Sequence, residues 1–234
     1  MDSQDKQLSV NDKLDPDKNF LNYFNSSDCL PPYISIQKLD SFFKSSNNYE
    51  GINILHFNIR SLSKHYSEFC TLLSTIGTKL TAIALSETWL NDLSQNDFPL
   101  VGYNFISNCR DSTTGGGVGI YLDCDLDYIV RKDLSLVNDV IECIFVEVKQ
   151  LTNVGFIVGC VYRPPDSNVS LFNAAMYDIL NVINAKKENL TFLAGDYNLD
   201  LLNFHSHPPI NEFFNNLISF SFIPTAMYPT RINY

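Results

Sequence analysis

Four short apolar runs each stop at polar residues that a buried strand could not carry further. Ile52 to Phe57 ends at Asn58, and Leu80 to Leu85 ends at Ser86-Glu87. Phe156 to Val161 ends at Tyr162-Arg163, and Leu190 to Ala194 ends at Gly195-Asp196-Tyr197-Asn198. Such runs read as strands sharing one core. Their polar residues then gather on one rim, the place where a rigid scaffold holds functional loops. A constellation of one Glu, one Asp, two Asn and one Tyr is a hard-oxygen set, suited to Mg²⁺ and phosphate ester chemistry.

The remaining pattern places these strands in a layered domain. After Asn58, residues Leu62, Tyr66, Phe69, Leu73 and Ile76 recur at helical spacing, with Ser61 or Ser63 as cap and Gly77 as stop. Leu100 to Ile106 reads as a strand, and Gly115-Gly116-Gly117 leads from a turn at Arg110 to Thr114 into the strand Val118 to Leu122. Ile141 to Val148 and Phe156 to Val161 flank Asn153-Val154-Gly155 as a hairpin. Phe172, Met176, Ile179 and Ile183 form a second helical face, and Ile210 to Phe220 a third helix. Several strands follow each other directly, which favours antiparallel pairing. The expectation is a sandwich of two sheets with helices outside.

Residues 1 to about 50 read as a separate segment. Met1 to Lys18 is polar and disordered in composition, Asn19 to Phe24 and Ile36 to Phe43 are short helical stretches, and the main domain starts near Gly51. The net charge of -10 argues against a broadly basic nucleic-acid surface, though not against a local basic lip. The six cysteines form no Cys-x-x-Cys pair, so reduced thiols without disulfide partners are expected, with Cys143 and Cys160 in apolar strands. The N-terminus lacks the apolar core of a signal peptide, and no apolar run reaches membrane-spanning length. The expectation is an intracellular protein, nuclear or cytoplasmic, neither secreted nor membrane-bound.

Each candidate residue also has an ordinary structural reading. One acid at a strand end commonly caps a turn; aligned strand ends carrying Glu87 and Asp196 weaken that reading. Asn58 and Asn198 are common turn residues that can also donate to phosphate. Tyr162 can donate to a phosphate oxygen or simply close a strand. The Gly115-Gly116-Gly117 run lacks nucleotide-binding spacing and precedes a strand, so it reads as a turn with unusual backbone angles. His205 and His207 read as solvated loop residues, His56 as a partnered strand residue and His65 as a helix-surface residue.

Taken in order, the motifs resemble the exonuclease–endonuclease–phosphatase superfamily, and within it the endonuclease domain of non-LTR retrotransposons. The residues concerned are His56-Phe57-Asn58-Ile59-Arg60-Ser61-Leu62, Leu85-Ser86-Glu87-Thr88-Trp89-Leu90, Gly102-Tyr103, and Arg110 ahead of Gly115 to Tyr121. Val161-Tyr162-Arg163-Pro164-Pro165, Gly195-Asp196-Tyr197-Asn198-Leu199-Asp200 and Tyr228-Pro229-Thr230-Arg231-Ile232 complete the set. The resemblance implies an α/β four-layer sandwich of two mostly antiparallel sheets flanked by helices, deoxyribonuclease I-like.

It also implies roles. Glu87 is the principal metal ligand, for Mg²⁺ with Mn²⁺ as substitute, and Asn58 supports the metal or phosphate. Tyr162 contacts the scissile phosphate, Asp196 orients or deprotonates the attacking water, and Asn198 stabilises the transition state. Arg110 and Arg163 bind substrate. The partner is DNA and the reaction is phosphodiester hydrolysis. The family pattern continues into a further Asp and a Ser-Asp-His segment, and this chain stops before both. The resemblance therefore implies a domain lacking its last strands and an activity weakened or lost, since removing a positioned acid or base costs about 10²–10⁴ in rate. A non-catalytic remnant or binding module, and a phosphatase or abasic-site endonuclease, are the alternatives.

Overall fold

In a computed structural model, residues 51–91, 93–94, 96–110, 115–149, 155–185 and 190–225 are described, with 34–35, 38–39 and 41–42. The expected helix at Asn19 to Phe24, the turn at 111–114, Asn153-Val154 and the motif Tyr228 to Ile232 lie outside them. Lys38, Leu39, Ser41 and Phe42 are helical, within the stretch expected to be so.

The strand-like runs form nine strands in two sheets. The first sheet holds β1 (Ile54–Asn58), β2 (Ala82–Ser86), β4 (Val118–Asp123) and β3 (Tyr103–Asn108), in that spatial order. The second holds β5 (Asp127–Val130), β7 (Glu142–Lys149), β8 (Phe156–Tyr162) and β9 (Leu190–Asp196), with β6 (Leu136–Val137) paired to β7. Most neighbours are antiparallel, as expected. Two pairs are parallel: β1 with β2, and β8 with β9. Each is joined through a helix, α1 (Leu62–Thr75) or α2 (Val169–Ala185), because parallel strands need a crossover rather than a tight turn.

The layers follow from side-chain alternation. In β2, Ala82 and Ala84 face the second sheet, while Ile83 and Leu85 pack in the cluster with Leu62 and Phe69 of α1. In β8, Val158 and Cys160 face the first sheet, while Ile157 and Val161 pack with Phe172, Met176, Ile179 and Ile183 of α2. Helix α3 (Pro208–Ser219) adds Phe213 and Leu217 to that outer cluster. The order is therefore helix, sheet, sheet, helices. Both faces of β2 and β8 are covered, which explains why their sequences are continuously apolar. All these elements lie in one compact unit, Ser35–Phe222.

Local signals match the helix boundaries. Ser61 caps α1, its hydroxyl accepting from Lys64 N at 3.4 Å, and Ile76 turns extended one residue before Gly77. A 3-10 turn, Leu201–Ser206, leads into α3 and leaves His205 and His207 exposed. Buried Cys143 and Cys160 donate to the carbonyls of Leu134 and Leu85 at 3.3 and 3.2 Å. Burial pushes the Cys143 thiol up to about 12, which keeps it protonated. Among the described residues, no helix is long and apolar enough to cross a membrane.

Candidate functional site

The two parallel pairs end together. In their registers Asn58 stands opposite Ser86, and Tyr162 opposite Asp196. Each pair therefore presents its polar terminus at one edge of its own sheet. The sheets then bring these edges into contact: Asn58 Nδ2 donates to Glu87 Oε1 at 2.7 Å and to Asp196 Oδ2 at 2.6 Å. One amide from the first sheet thus bridges an acid of each sheet. The two carboxylate oxygens are no further apart than the sum of those distances.

The second sheet extends this row. Glu142 stands opposite Tyr162 across β7 and β8. Residues directly opposite share a sheet face, so Glu142, Tyr162 and Asp196 line up toward the first sheet. Tyr162 feels that row. Burial first, then the charges of Glu87 and Glu142, push its phenol up to about 12, against the opposing charge of Arg110. The ring therefore keeps its proton and remains a hydrogen-bond donor at neutral pH.

Gly195 is what lets β9 finish beside β8. Its φ is +150°, and a Cβ there would stand 1.8 Å from the Val161 carbonyl oxygen. The following residue is Asp196, so the close approach of the two strands delivers the acid opposite Tyr162.

The loops beyond the strand ends are held by backbone bonds. Ser61 N donates to Glu87 O and Leu62 N to Thr88 O, each at 2.8 Å. From the other side Thr88 N donates to Gly117 O at 3.1 Å and Trp89 N to Gly116 O at 2.9 Å. Five of the six left-handed non-glycine residues among those described sit here: Arg60, Ser61, Glu87, Trp89 and Asn198. Such a backbone costs on the order of 1–3 kcal/mol per residue and persists only where surroundings force it. The glycine turn is equally special, with φ of +100°, +68° and +83° at Gly115, Gly116 and Gly117.

That turn cradles an acid the sequence reading missed. Glu142 has no exposed surface, and it accepts from Arg110 Nε at 2.7 Å, from Arg110 Nη2 and from Gly117 N. Arg110, expected to bind substrate, is thus joined to a buried partner beside Tyr162. The available signal was an acid inside the apolar run Ile141 to Val148.

Arg163, expected to bind substrate too, instead points inward and is 4% exposed. Its Nε donates to Tyr197 O at 2.8 Å, Nη2 to Asn198 O at 2.7 Å and Pro165 O at 3.3 Å, and Nη1 to Ser167 O at 2.7 Å. Its own backbone returns the grip: Arg163 N donates to Asp196 O at 3.0 Å, and Asn198 Nδ2 donates to Arg163 O at 2.8 Å. This guanidinium fastens the loop that carries Asp196 and Asn198. The Asn198 amide is directed to Arg163, while its backbone N–H donates to Asp196 Oδ1 at 3.1 Å.

Histidines stand near the rim or away from it as their positions suggested. His56 Nε2 contacts Ser86 Oγ at 3.1 Å, and burial pulls its pKa down to about 4 against the raising influence of Asp196. His65 Nδ1 meets Glu68 on the surface of α1. A separate acidic group, Asp123, Cys124 and Asp125, follows the other end of this sheet, where Lys79 Nζ pairs with both acids at 2.7 Å.

Known proteins share this fold. A search of curated proteins finds no match. Among solved structures, the endonuclease domain of TRAS1, a telomere-specific non-LTR retrotransposon, is similar at 14% identity and a TM-score of 0.56, covering 73% of this chain and 71% of that one. The AP endonuclease LMAP from Leishmania major is similar at 17% identity and a TM-score of 0.57, covering 87% and 77%. At these identities the likeness concerns the fold, a four-layer α/β sandwich of two sheets between helices. A family model matches residues 53–230, most of the chain. The chain belongs to the endonuclease/exonuclease/phosphatase family.

Proposed function

We propose that the rim is a divalent-metal phosphodiesterase site acting on DNA, of the kind found in retrotransposon endonucleases. The observation that carries this reading is the Asn58 amide held between Glu87 and Asp196. It joins two acids and a neutral amide at a solvent-facing edge, with hard oxygens and without thiol or imidazole, which fits Mg²⁺ or Mn²⁺. Glu87 with Asn58 would hold the ion. Such an ion, when bound, polarises a phosphoryl oxygen and neutralises charge gathering there.

The chain's own groups supply the rest. Asp196 takes a proton from the attacking water, oriented by the Asn198 backbone N–H on its Oδ1. Asn198 acts through Asp196, since its side chain is directed to Arg163. Tyr162 keeps its phenolic proton and donates a hydrogen bond to a non-bridging phosphate oxygen. Arg163 fixes the loop, and Arg110 holds the Glu142 charge that neighbours Tyr162.

Two readouts test the proposal. The full chain should nick supercoiled plasmid with Mg²⁺, and EDTA or Asp196→Ala should abolish nicking. Independently of turnover, calorimetric titration with Mn²⁺ should show one site that Glu87→Gln removes. Nicking that survives EDTA, or Mn²⁺ binding indifferent to Glu87→Gln, would reject the assignment. Metal binding without nicking would identify a binding module.

A further inference from the structure

Trp89 is the chain's single tryptophan, and 44% of it is exposed. Its neighbours Thr88 and Leu90 are buried, at 0% and 5%. The turn therefore anchors on both sides of the indole and leaves the largest apolar side chain outside. Nothing about the core requires this, since burying an indole is one of the larger gains an apolar side chain offers. The backbone presenting it is left-handed, with φ of 55°, and is pinned by Trp89 N donating to Gly116 O at 2.9 Å. A bulky residue held there carries strain that the two anchors and the glycine turn maintain.

The position is as informative as the exposure. Trp89 lies two residues beyond Glu87, on the β4 side through its bond to Gly116, whereas Asn58 and Asp196 lie on the β1 side. Arg60, with 64% of its side chain exposed, keeps Nε 4.0 Å from Glu87 Oε2. In a chain of net charge -10, an exposed cation thus adjoins the acid rim, and an exposed indole follows Glu87 by two residues, its Nε1 beside the Gly115 turn. A cation answers a phosphate; a rigid indole face answers a nucleobase, and does so for any base because every base has a π-face.

We propose that Trp89 is a stacking platform for a nucleobase of the strand whose phosphate lies at the Asn58–Glu87–Asp196 rim. This rests on the phosphodiesterase reading and adds how the strand is gripped. An unstacked or single-stranded segment is the ligand class, because an indole cannot stack on a base enclosed in a duplex.

The full chain carrying Asp196→Asn, so that no hydrolysis alters the ligand, is titrated with a short single-stranded deoxyoligonucleotide labelled for anisotropy. A second titration uses the same backbone with abasic sites. Emission from Trp89 is followed in both, without background from other tryptophans. The expected result is binding of both strands, quenching only by the base-bearing one, and about a 5- to 150-fold loss of affinity for it in Trp89→Ala and Trp89→Leu. Equal affinity for both strands with unchanged emission overturns the stacking role and leaves the phosphodiesterase reading intact. So does a Trp89→Ala chain that binds as tightly as its parent. Failure to bind either strand overturns both.

Discussion

Replacing Arg163 by lysine separates a residue that grips substrate from one that holds the site together. The guanidinium donates to five acceptors: the carbonyls of Tyr197, Asn198, Pro165 and Ser167, and the Ser167 hydroxyl. A lysine ammonium has three donors on a different geometry, so at least two acceptors lose their partner. Hydrogen bonds from a charged donor contribute about 1.5–3 kcal/mol each, and Arg163 is almost wholly buried. Arg163→Lys should therefore destabilise the chain by about 3–5 kcal/mol. With a urea dependence near 2 kcal/mol per molar, the unfolding midpoint falls by about 2 M. Circular dichroism during urea titration measures it, with DNA affinity followed below the transition. A shift worth less than about 1 kcal/mol, accompanied by a large loss of affinity, would refute the structural role and restore Arg163 to the substrate surface.

Two further perturbations probe neighbouring parts. Arg110→Met leaves the buried Glu142 carboxylate without its ion partner and should cost about 3 kcal/mol by urea unfolding, while Arg110→Met with Glu142→Gln should recover much of that loss; strictly additive costs would break the pairing argument. His56 should shape the acid side of stability. Its proton is taken up near pH 6.5 when unfolded but only near 4 when folded, so stability drains as pH falls through that window and the loss levels off below it. The ceiling is about 3 kcal/mol, lowered by the partial exposure of the ring, and the difference in unfolding free energy between His56→Gln and the parent should change between those pH values and nowhere else.

The strands that carry the rim were legible because their chemistry is local. Ala82–Ser86 and Phe156–Tyr162 are covered on both faces, so their apolar runs are unbroken and their ends are abrupt. Strand β5, Asp127–Val130, escaped notice because it is a four-residue edge strand whose residues alternate between exposed and half-buried. The 3-10 turn after Asp196 carries no periodic signal either. The setting of Arg163 is illegible for a different reason. Four of its five acceptors are backbone carbonyls, and a carbonyl leaves no mark in a sequence. The Glu142–Arg110 pair spans 32 positions and becomes visible only once β3 and β7 are placed. Even so, Asn58, Glu87 and Asp196 were grouped by strand ends alone, and the structure bonds them together.

The position of the rim within the sandwich follows from the strand order. Among the described residues, β1 and β9 pair on one side only, and both are half-buried where β2 and β8 are fully covered. Asn58 and Asp196 end these two strands, and Glu87 follows β2 beside Asn58. The opposite flank is closed: Glu142, Arg110 and the glycine turn fill it with mutually bonded groups. The meeting of Asn58, Glu87 and Asp196 arises from two parallel pairs placed at the borders of otherwise antiparallel sheets. An antiparallel neighbour in the place of β1 or β9 would carry its polar terminus to the far end of the sandwich, and the two acids would never share an amide.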